Sequence, residues 1–286
     1  MTTENDSCLF SVVIPTCNRP EALRACLSAF SASQLENNAR FEVIVSNDGN
    51  NVLLPDISPH PEWLIFTQGP RRGPAANRNH AAHLAHGEWI VFVDDDCVPE
   101  TGWLRAYQQA IGDNPGAEAF EGAIVPQGDM SFDLADCPAN ESGGLFWSAN
   151  ICVKRAAFEI LGGFDEAYLL PAHEDQDLYI RVQRRTRVPF VRGASVTHPV
   201  RRLQLRKVLC DIDKRNAAWI HFATKNAEYL GYANKVGILS AGYASQIRGL
   251  VHALRQGHPK KAIYHTTMLT VGMSILAARL CFVASG

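Results

Sequence analysis

Four short apolar runs punctuate the first hundred residues: "LFSVVIP" (Leu9 to Pro15), "FEVIVSND" (Phe41 to Asp48), "WLIFTQ" (Trp63 to Gln68) and "WIVFVDD" (Trp89 to Asp95). Each is nearly continuous and rich in β-branched residues, the pattern of strands covered on both faces. Between them the spacing turns helical. In "RPEALRACLSAFSAS" Leu23, Cys26, Leu27 and Phe30 share one stripe, and Pro20 sits where a first helical turn tolerates it. "GPAANRNHAAHLAHG" predicts a second, Ala-rich helix closed by Gly87. Such alternation predicts an α/β domain with a mostly parallel sheet, whose ligands sit beyond the carboxyl ends of the strands. From about Ala117 to His198 short strands alternate with loops rich in Gly and Asp. "AHEDQDLYIRVQRR" there predicts a helix with acids in its first turns and Arg in its last. After Pro199 the pattern is helical to the end, so the expected organisation is an α/β domain over 1–200 and a helical C-terminal extension over 201–286.

The apolar fraction of 47% and charged fraction of 20% are those of a globular protein and exclude collagen-like or disordered classes. A formal charge of -2 supplies no global field toward nucleic acid, which is not an expected partner. The start, "MTTENDSCLF", lacks the basic-then-apolar pattern of a secretion signal, and eight cysteines without a CxxC pair read as reduced thiols. A cytoplasmic chain is expected. Charge is uneven, however: eleven Lys and Arg against two Asp lie between Arg181 and Arg215. Either a solvated helix face or a surface that meets phosphates explains that run. Near the end, "HTTMLTVGMSILAA" is shorter than the roughly 20 residues of a spanning helix, so a buried or interfacial helix is expected. Lys260 and Lys261 before it favour peripheral contact with the inner face of an anionic membrane, and a homodimer contact is the other role open to this tail.

The candidate chemistry starts where the fourth run meets Asp94, Asp95 and Asp96. Three adjacent carboxylates at the end of a buried strand are either loop residues capping the next helix or ligands for a cation. Crowded charge leaving an apolar strand favours the second, and a hard divalent ion that prefers oxygen supplies the countercharge. Mg²⁺ takes one or two carboxylates and fills its shell with phosphate oxygens, so D-x-D suits a metal–diphosphate clamp. A second acidic constellation, Glu174 and Asp175, opens the predicted helix, where favourable first-turn charge is the bland reading.

Six segments fall in the order and approximate spacing of family-2 glycosyltransferases with the GT-A fold: "SVVIPTCNRPEALRACLSAF", "FEVIVSNDGNN", "GPAANRNHAA", "WIVFVDDDCVPETGWL", "GGFDEAYLLPAHEDQDLYIRV" and "VTHPV". The chain resembles that family over roughly its first 200 residues. The resemblance implies a Rossmann-like nucleotide-binding sheet and an inverting, metal-assisted transfer of a sugar from a nucleoside diphosphate to a hydroxyl of a glycan or lipid-linked acceptor. By the same resemblance Pro15, Thr16, Asn18 and Arg19 form the loop around the nucleotide base, Asp48 accepts from a uracil ring, and Arg78 lies near base or phosphates. Asp94 and Asp96 match the D-x-D pair, Asp95 shares either job, and His198 stands where a third ligand to Mn²⁺ or Mg²⁺ is found. Asp175 matches the catalytic base, with Glu174 on the acceptor or holding its loop, and Trp147, Asn150 and Gly163 line the acceptor. Asn47 and Asn50 depart from the family's Asp-Asp-Gly-Ser, so a UDP-sugar is the first expectation while dTDP and GDP stay open.

Each residue has a plainer role to set beside these. Thr16 and Asp48 can satisfy a turn, Arg78 can face solvent, His198 can be packed, and Trp147 can be core. Competing classes also make demands. A sugar-phosphate nucleotidyltransferase wants a Gly-rich, Arg-containing loop after the first strand, and "PTCNRPE" holds no glycine. A dehydrogenase wants G-x-G-x-x-G in the same place. A non-catalytic nucleotide-sugar binder has no need of both acidic motifs, and both are intact.

Overall fold

The apolar runs become β1 (Phe10–Thr16), β2 (Phe41–Asn47), β3 (Leu64–Gln68) and β4 (Trp89–Val93) in a computed structural model that describes residues 9–33, 40–50, 61–232 and 234–282. The chain packs as two units: Met1–Gln127 with Pro138–Pro199, and Gly128–Cys137 with Val200–Gly286. In the first, β5 (Val98–Pro99), β6 (Ala119–Gln127), β8 (Asn150–Lys154) and β9 (Phe190–Pro199) complete a sheet of order β3-β2-β1-β4-β8-β6-β9-β5 among the described residues. β1 to β4 are parallel, and β6 and β9 run with them; β8 and β5 run the other way.

The near-continuous runs are explained by burial on both faces. Val12, Ile14, Val43, Val45, Val91 and Val93 point into one core, and Val13, Ile44, Ile90 and Phe92 into the other. Helix α1 (Pro20–Ser33) covers the first face with the stripe Leu23, Cys26, Leu27 and Phe30, beside Trp103, Leu104 and Tyr107 of α3 (Trp103–Asp113). The other face is covered by α2 (Pro74–Ala82), α4 (Arg155–Ile160) and α5 (Glu174–Gln183). The alanines of α2 allow it to lie close to the sheet. α2 ends at Ala82, short of Gly87. Gly87 is no helix cap: its N–H donates to Ser11 Oγ at 2.8 Å, and an added Cβ would stand 2.6 Å from the Ser11 nitrogen. The glycine is needed for close approach to β1.

Parallel register brings the carboxyl ends of β1, β2 and β4 to one edge, with Thr16 opposite Asn47. Because β8 runs backwards, its first residue, Asn150, pairs with Val93. The loop preceding β8 therefore arrives at the edge where the aspartates leave β4.

In the second unit β7 (Ala135–Asp136) pairs with β10 (Arg201–Arg202), and helices follow: α6 (Leu205–Cys210), α7 (Ile212–Lys225), α8 (Ala227–Leu230), α9 (Lys235–Arg255), α10 (Pro259–Thr267) and α11 (Met273–Phe282). The Asp133 carboxylate accepts from the N–H groups of Lys260 and Lys261 at 2.6 and 3.0 Å, capping α10 across a long sequence gap. A π-helical turn, Met268–Gly272, separates α10 from α11, and Asn216 Nδ2 donates to the Gly272 carbonyl at 2.8 Å. Among the described residues no helix is long and apolar enough to cross a membrane.

Candidate active site

β4 is buried along its length, so the three aspartates stand where the chain leaves the sheet. Thr16 Oγ1 donates to Asp95 Oδ2 at 2.6 Å. Arg19 spans two carboxylates, Nη2 at 2.6 Å from Asp95 Oδ1 and Nη1 at 2.8 Å from Asp96 Oδ2. Arg78 Nη2 lies 2.7 Å from Asp94 Oδ1. Part of the countercharge is thus the chain's own. Thr16 and Arg19, expected around the nucleotide, here position the acidic trio. Arg19 is 43% exposed, so solvent screens its hold, whereas Arg78 is buried.

The donor set at this corner fits a divalent cation. Asp96, Cys97 and His198 present ligand atoms all within 4.8 Å of one another. His198 Nδ1 is 2.9 Å from the Pro199 carbonyl oxygen, which can only accept, so Nδ1 carries a proton. Nε2 then meets Asp96 Oδ1 at 3.4 Å either as imidazolium or across a cation, and a second hydrogen bond of this kind commonly orients a metal-binding histidine. Asp94 stands apart from this group and is held by Arg78. Burial opposes its ionisation, but the Arg78 charge and hydrogen bond, helped by Arg19 and His198, keep its pKa below the usual carboxylate value.

Arg78 is the hinge of the site. From α2 its guanidinium reaches Asp94 with one arm and Glu174 Oε1, at 3.1 Å, with the other, over the face of Phe164. The plain expectation of an exposed helix residue fails. At the start of α5, Glu174 and Asp175 are 2% and 8% exposed, so they are no solvated first-turn charges. Glu174 Oε2 has no hydrogen-bond partner among the described residues. Asp175 accepts from the N–H of Gln176 at 2.8 Å and of Ser148 at 3.3 Å. Burial, then the Asp175 charge, raises Glu174 to about 7 against the pull of Arg78. Burial raises Asp175 to about 6, opposed by the Ser148 N–H, Arg78 and the Gln176 N–H. The arrangement raises both carboxyls of the pair, with Asp175 the better supplied with hydrogen-bond donors. His173, in the left-handed region at φ 72°, turns the chain into α5 and places the pair.

The sign of these shifts fixes how stability depends on pH. Pair stability is fully present below the ordinary carboxylate pKa and is lost as pH rises through about 6 to 7. Glu174→Gln is therefore expected to stabilise the fold by about 1–3 kcal/mol at pH 8 and to change little at pH 4. Thermal denaturation at the two pH values checks it; a lower Tm at pH 8 would mean the Arg78 ion pair outweighs burial.

Other expected residues take different places. Both Asp48 oxygens are used by the loop 71–73, Oδ1 by the Arg71 N–H and Oδ2 by the Gly73 N–H at 3.0 Å, so here Asp48 secures a turn. Asn47 Oδ1 accepts from the Gly49 N–H at 2.9 Å. Pro15 is buried in β1, and Asn18 is exposed with φ 55° beside Gly49. Trp147 is half-buried against the α1-side core. Asn150 is corrected outright. It is 1% exposed, Oδ1 accepts from Trp103 Nε1 and Tyr107 OH, and Nδ2 donates to the carbonyls of Ala123 and Ala194. An amide so fully occupied ties β8 to α3, β6 and β9 and has nothing left for an acceptor. Gly163 is likewise structural: φ is 69°, and a Cβ would stand 2.6 Å from Asn79 Oδ1. Of the basic run, Arg181 is consumed by Asp177 and Arg185 by Glu118.

Two further residues hold this edge together, and the sequence pattern alone does not single them out. Asn77 pins α2 to β2, accepting from Ser46 Oγ at 2.6 Å and donating to the Ser46 carbonyl at 2.9 Å. Glu121, 2% exposed, accepts from the N–H groups of Gly144, Leu145 and Phe146 and from Asn140 Nδ2. It anchors the loop that delivers Ser148 to Asp175. An acid embedded in the apolar strand "AFEGAIV" was the available signal for Glu121.

A largely parallel sheet with acidic clusters at its carboxyl edge is the architecture of GT-A glycosyltransferases, and solved structures of that class superpose on this chain. A mannosyltransferase from Pyrobaculum calidifontis, solved with GDP-Man and Mn²⁺, aligns with a TM-score of 0.57 at 16% identity, covering 95% of this chain and 86% of that one. S. aureus TarS 1-349 with UDP-GlcNAc aligns with a TM-score of 0.54 at 15% identity, covering 91% of each. These likenesses establish the fold. Residues 11–132, somewhat under half of the chain, match the model of Glycosyl transferase family 2. It is similar to Glycosyltransferase AglE of Haloferax volcanii, 32% identical over 54% of this chain and 55% of the relative. A Pre-mycofactocin glycosyltransferase of Mycobacterium tuberculosis is 26% identical over 68% of this chain and 43% of its own length. The chain thus spans about half the length of these curated relatives.

Proposed function

We propose that the protein transfers a sugar, with inversion, from a nucleoside-diphosphate sugar to a hydroxyl of a glycan or lipid-linked acceptor. The observation that carries the proposal is the line Asp94–Arg78–Glu174 with Asp175 beside it, which joins the D-x-D corner to a buried acid pair within one arginine's reach. Asp175 is the base: it accepts from two backbone N–H groups, which favour its anion, while Glu174 is turned to Arg78, and it faces the loop that ends in Ser148. It would take the acceptor hydroxyl's proton as that oxygen attacks the anomeric carbon, and the nucleoside diphosphate departs with the bonding pair. Asp96 and His198 would hold Mn²⁺ or Mg²⁺, which when bound supplies positive charge to the leaving diphosphate. Arg19, exposed and already on Asp95 and Asp96, is placed to trade a carboxylate for a phosphate oxygen. Neighbours of this fold bind both UDP- and GDP-sugars, so the fold leaves the base open; we favour UDP on the resemblance of the "SNDGN" segment, with Asp48 shaping the loop through Arg71 and Gly73.

The test is a thermal-shift series with UDP-, dTDP- and GDP-sugars, with and without Mn²⁺ or Mg²⁺. Stabilisation is expected to require nucleotide and metal together and to exceed their separate effects, as linkage demands of ligands that share a site. His198→Ala should remove the metal-dependent part. Equal shifts with and without metal would refute the clamp.

A further inference from the structure

We propose that the outer face of α9 docks on an anionic lipid bilayer; this inference stands on the second unit alone and does not depend on which sugar is moved. α9 already has an inward face, where Ile238 is 4% and Ala253 0% exposed. It carries another apolar face that the unit leaves bare: Val236, Tyr243, Ile247, Val251 and Leu254, each at least 41% exposed. At 3.6 residues per turn these five side chains fall within an arc of about 80° and run along about 27 Å of helix. Scattered exposed apolar residues are ordinary, but a stripe this long along one helix marks a surface that meets something apolar.

Charge identifies the partner. After Glu228 the sequence contains no Asp or Glu, and it carries Lys235, Arg248, Arg255, Lys260, Lys261 and Arg279. Of 27 cations and 29 acids in the chain, the first 228 residues therefore hold 21 and 29, a balance of -8, and the remainder holds +6. The modest total conceals this segregation. Arg248, His252 and Arg255 are exposed and border the stripe on one side of α9. A second copy of the chain docking by two-fold symmetry would set these cations against themselves with no acid on the helix to pair them. A bilayer rich in acidic lipid offers phosphate to the cations and hydrocarbon to the stripe at once. That is the pattern of a helix lying in the interface plane, Tyr243 included, and no described helix could cross instead.

Vesicle flotation of the full chain tests the inference without nucleotide, so its failure would leave the sugar-transfer reading untouched. The chain is expected to float with phosphatidylcholine vesicles containing phosphatidylglycerol and not with phosphatidylcholine alone, and high salt should weaken binding. Ile247→Asp with Leu254→Asp should abolish flotation. Arg248→Glu with Arg255→Glu should cut partitioning at least about twenty-five-fold, taking about five-fold per cation at such a surface. All four positions are solvent-exposed, so Tm should be unchanged in both variants. Flotation that ignores lipid charge or survives both double variants would overturn the proposal. So would a stable dimer without vesicles that Ile247→Asp dissociates, since it would assign the stripe to self-association.

Discussion

Asp175→Asn is expected to lower kcat by about 10²–10⁴-fold while leaving the affinity for the nucleotide sugar unchanged. Asparagine keeps an oxygen for the Gln176 N–H and nearly the same volume, so the start of α5 should persist. What it loses is the site for the acceptor's proton, together with the oxygen that accepts from the Ser148 N–H at 3.3 Å. The pH profile gives a sharper readout than the rate. In the native protein activity should fall as pH drops through about 6 to 7, where the acid pair takes up its protons. In the variant that acidic limb should vanish, and Glu174, freed of a neighbouring negative charge, should ionise more readily. Single-turnover kinetics across pH, with isothermal titration of the donor, measure both. Ordinary turnover in the variant would dismiss Asp175 as base.

Arg78→Met should have the larger effect on the fold. It leaves Asp94 and Glu174 without the cation that sits 2.7 and 3.1 Å from them, and breaking a buried pair of this kind costs about 3–5 kcal/mol. Because Arg78 holds Asp94 below its ordinary pKa, that stability is present above the usual carboxylate value and lost as pH falls. The gap in Tm between native and variant should be wide at pH 8, persist to about pH 4 and narrow only below that, as Asp94 takes up its proton. Activity should shift its acidic limb to higher pH, since Arg78 also restrains Glu174 and Asp175. Arg78→Lys supplies one ammonium where a two-armed fork is used, so it should restore stability better than turnover. A uniform loss of Tm at every pH would reduce Arg78 to a packing residue.

The sheet was legible because its chemistry is local. Short continuous runs rich in β-branched residues and bounded by turn residues suit strands covered twice, and the Leu23, Cys26, Leu27 and Phe30 stripe states which face of α1 is inward. The acidic positions were legible by type and by resemblance, but their partners were not. Arg78 meets residues 16 and 96 positions away, and no periodicity links them. In sequence Arg19 resembles a nucleotide contact, because nothing in "CNRPE" says its arm folds back across 77 residues to Asp96. Asn150 misled for a related reason: an amide in a Gly- and aromatic-rich loop looks ligand-directed until its four partners, on three different elements, are known. Gly87 was a plausible helix stop, and only the proximity of Ser11 reveals its purpose.

The anchoring of residues 144–146 by Glu121 limits how this protein can change. The wall beside the proposed base is hung from a carboxylate in the middle of a strand, so its shape is inherited from the sheet. Insertions at Glu141 or Ser142 would lengthen an exposed tip and spare the chemistry. One residue added between Gly144 and Ser148 would instead pull the Ser148 amide off Asp175. New acceptor preferences in this lineage should therefore arise by side-chain exchange near Trp147 and by growth at the tip, with the spacing from Gly144 to Ser148 kept constant.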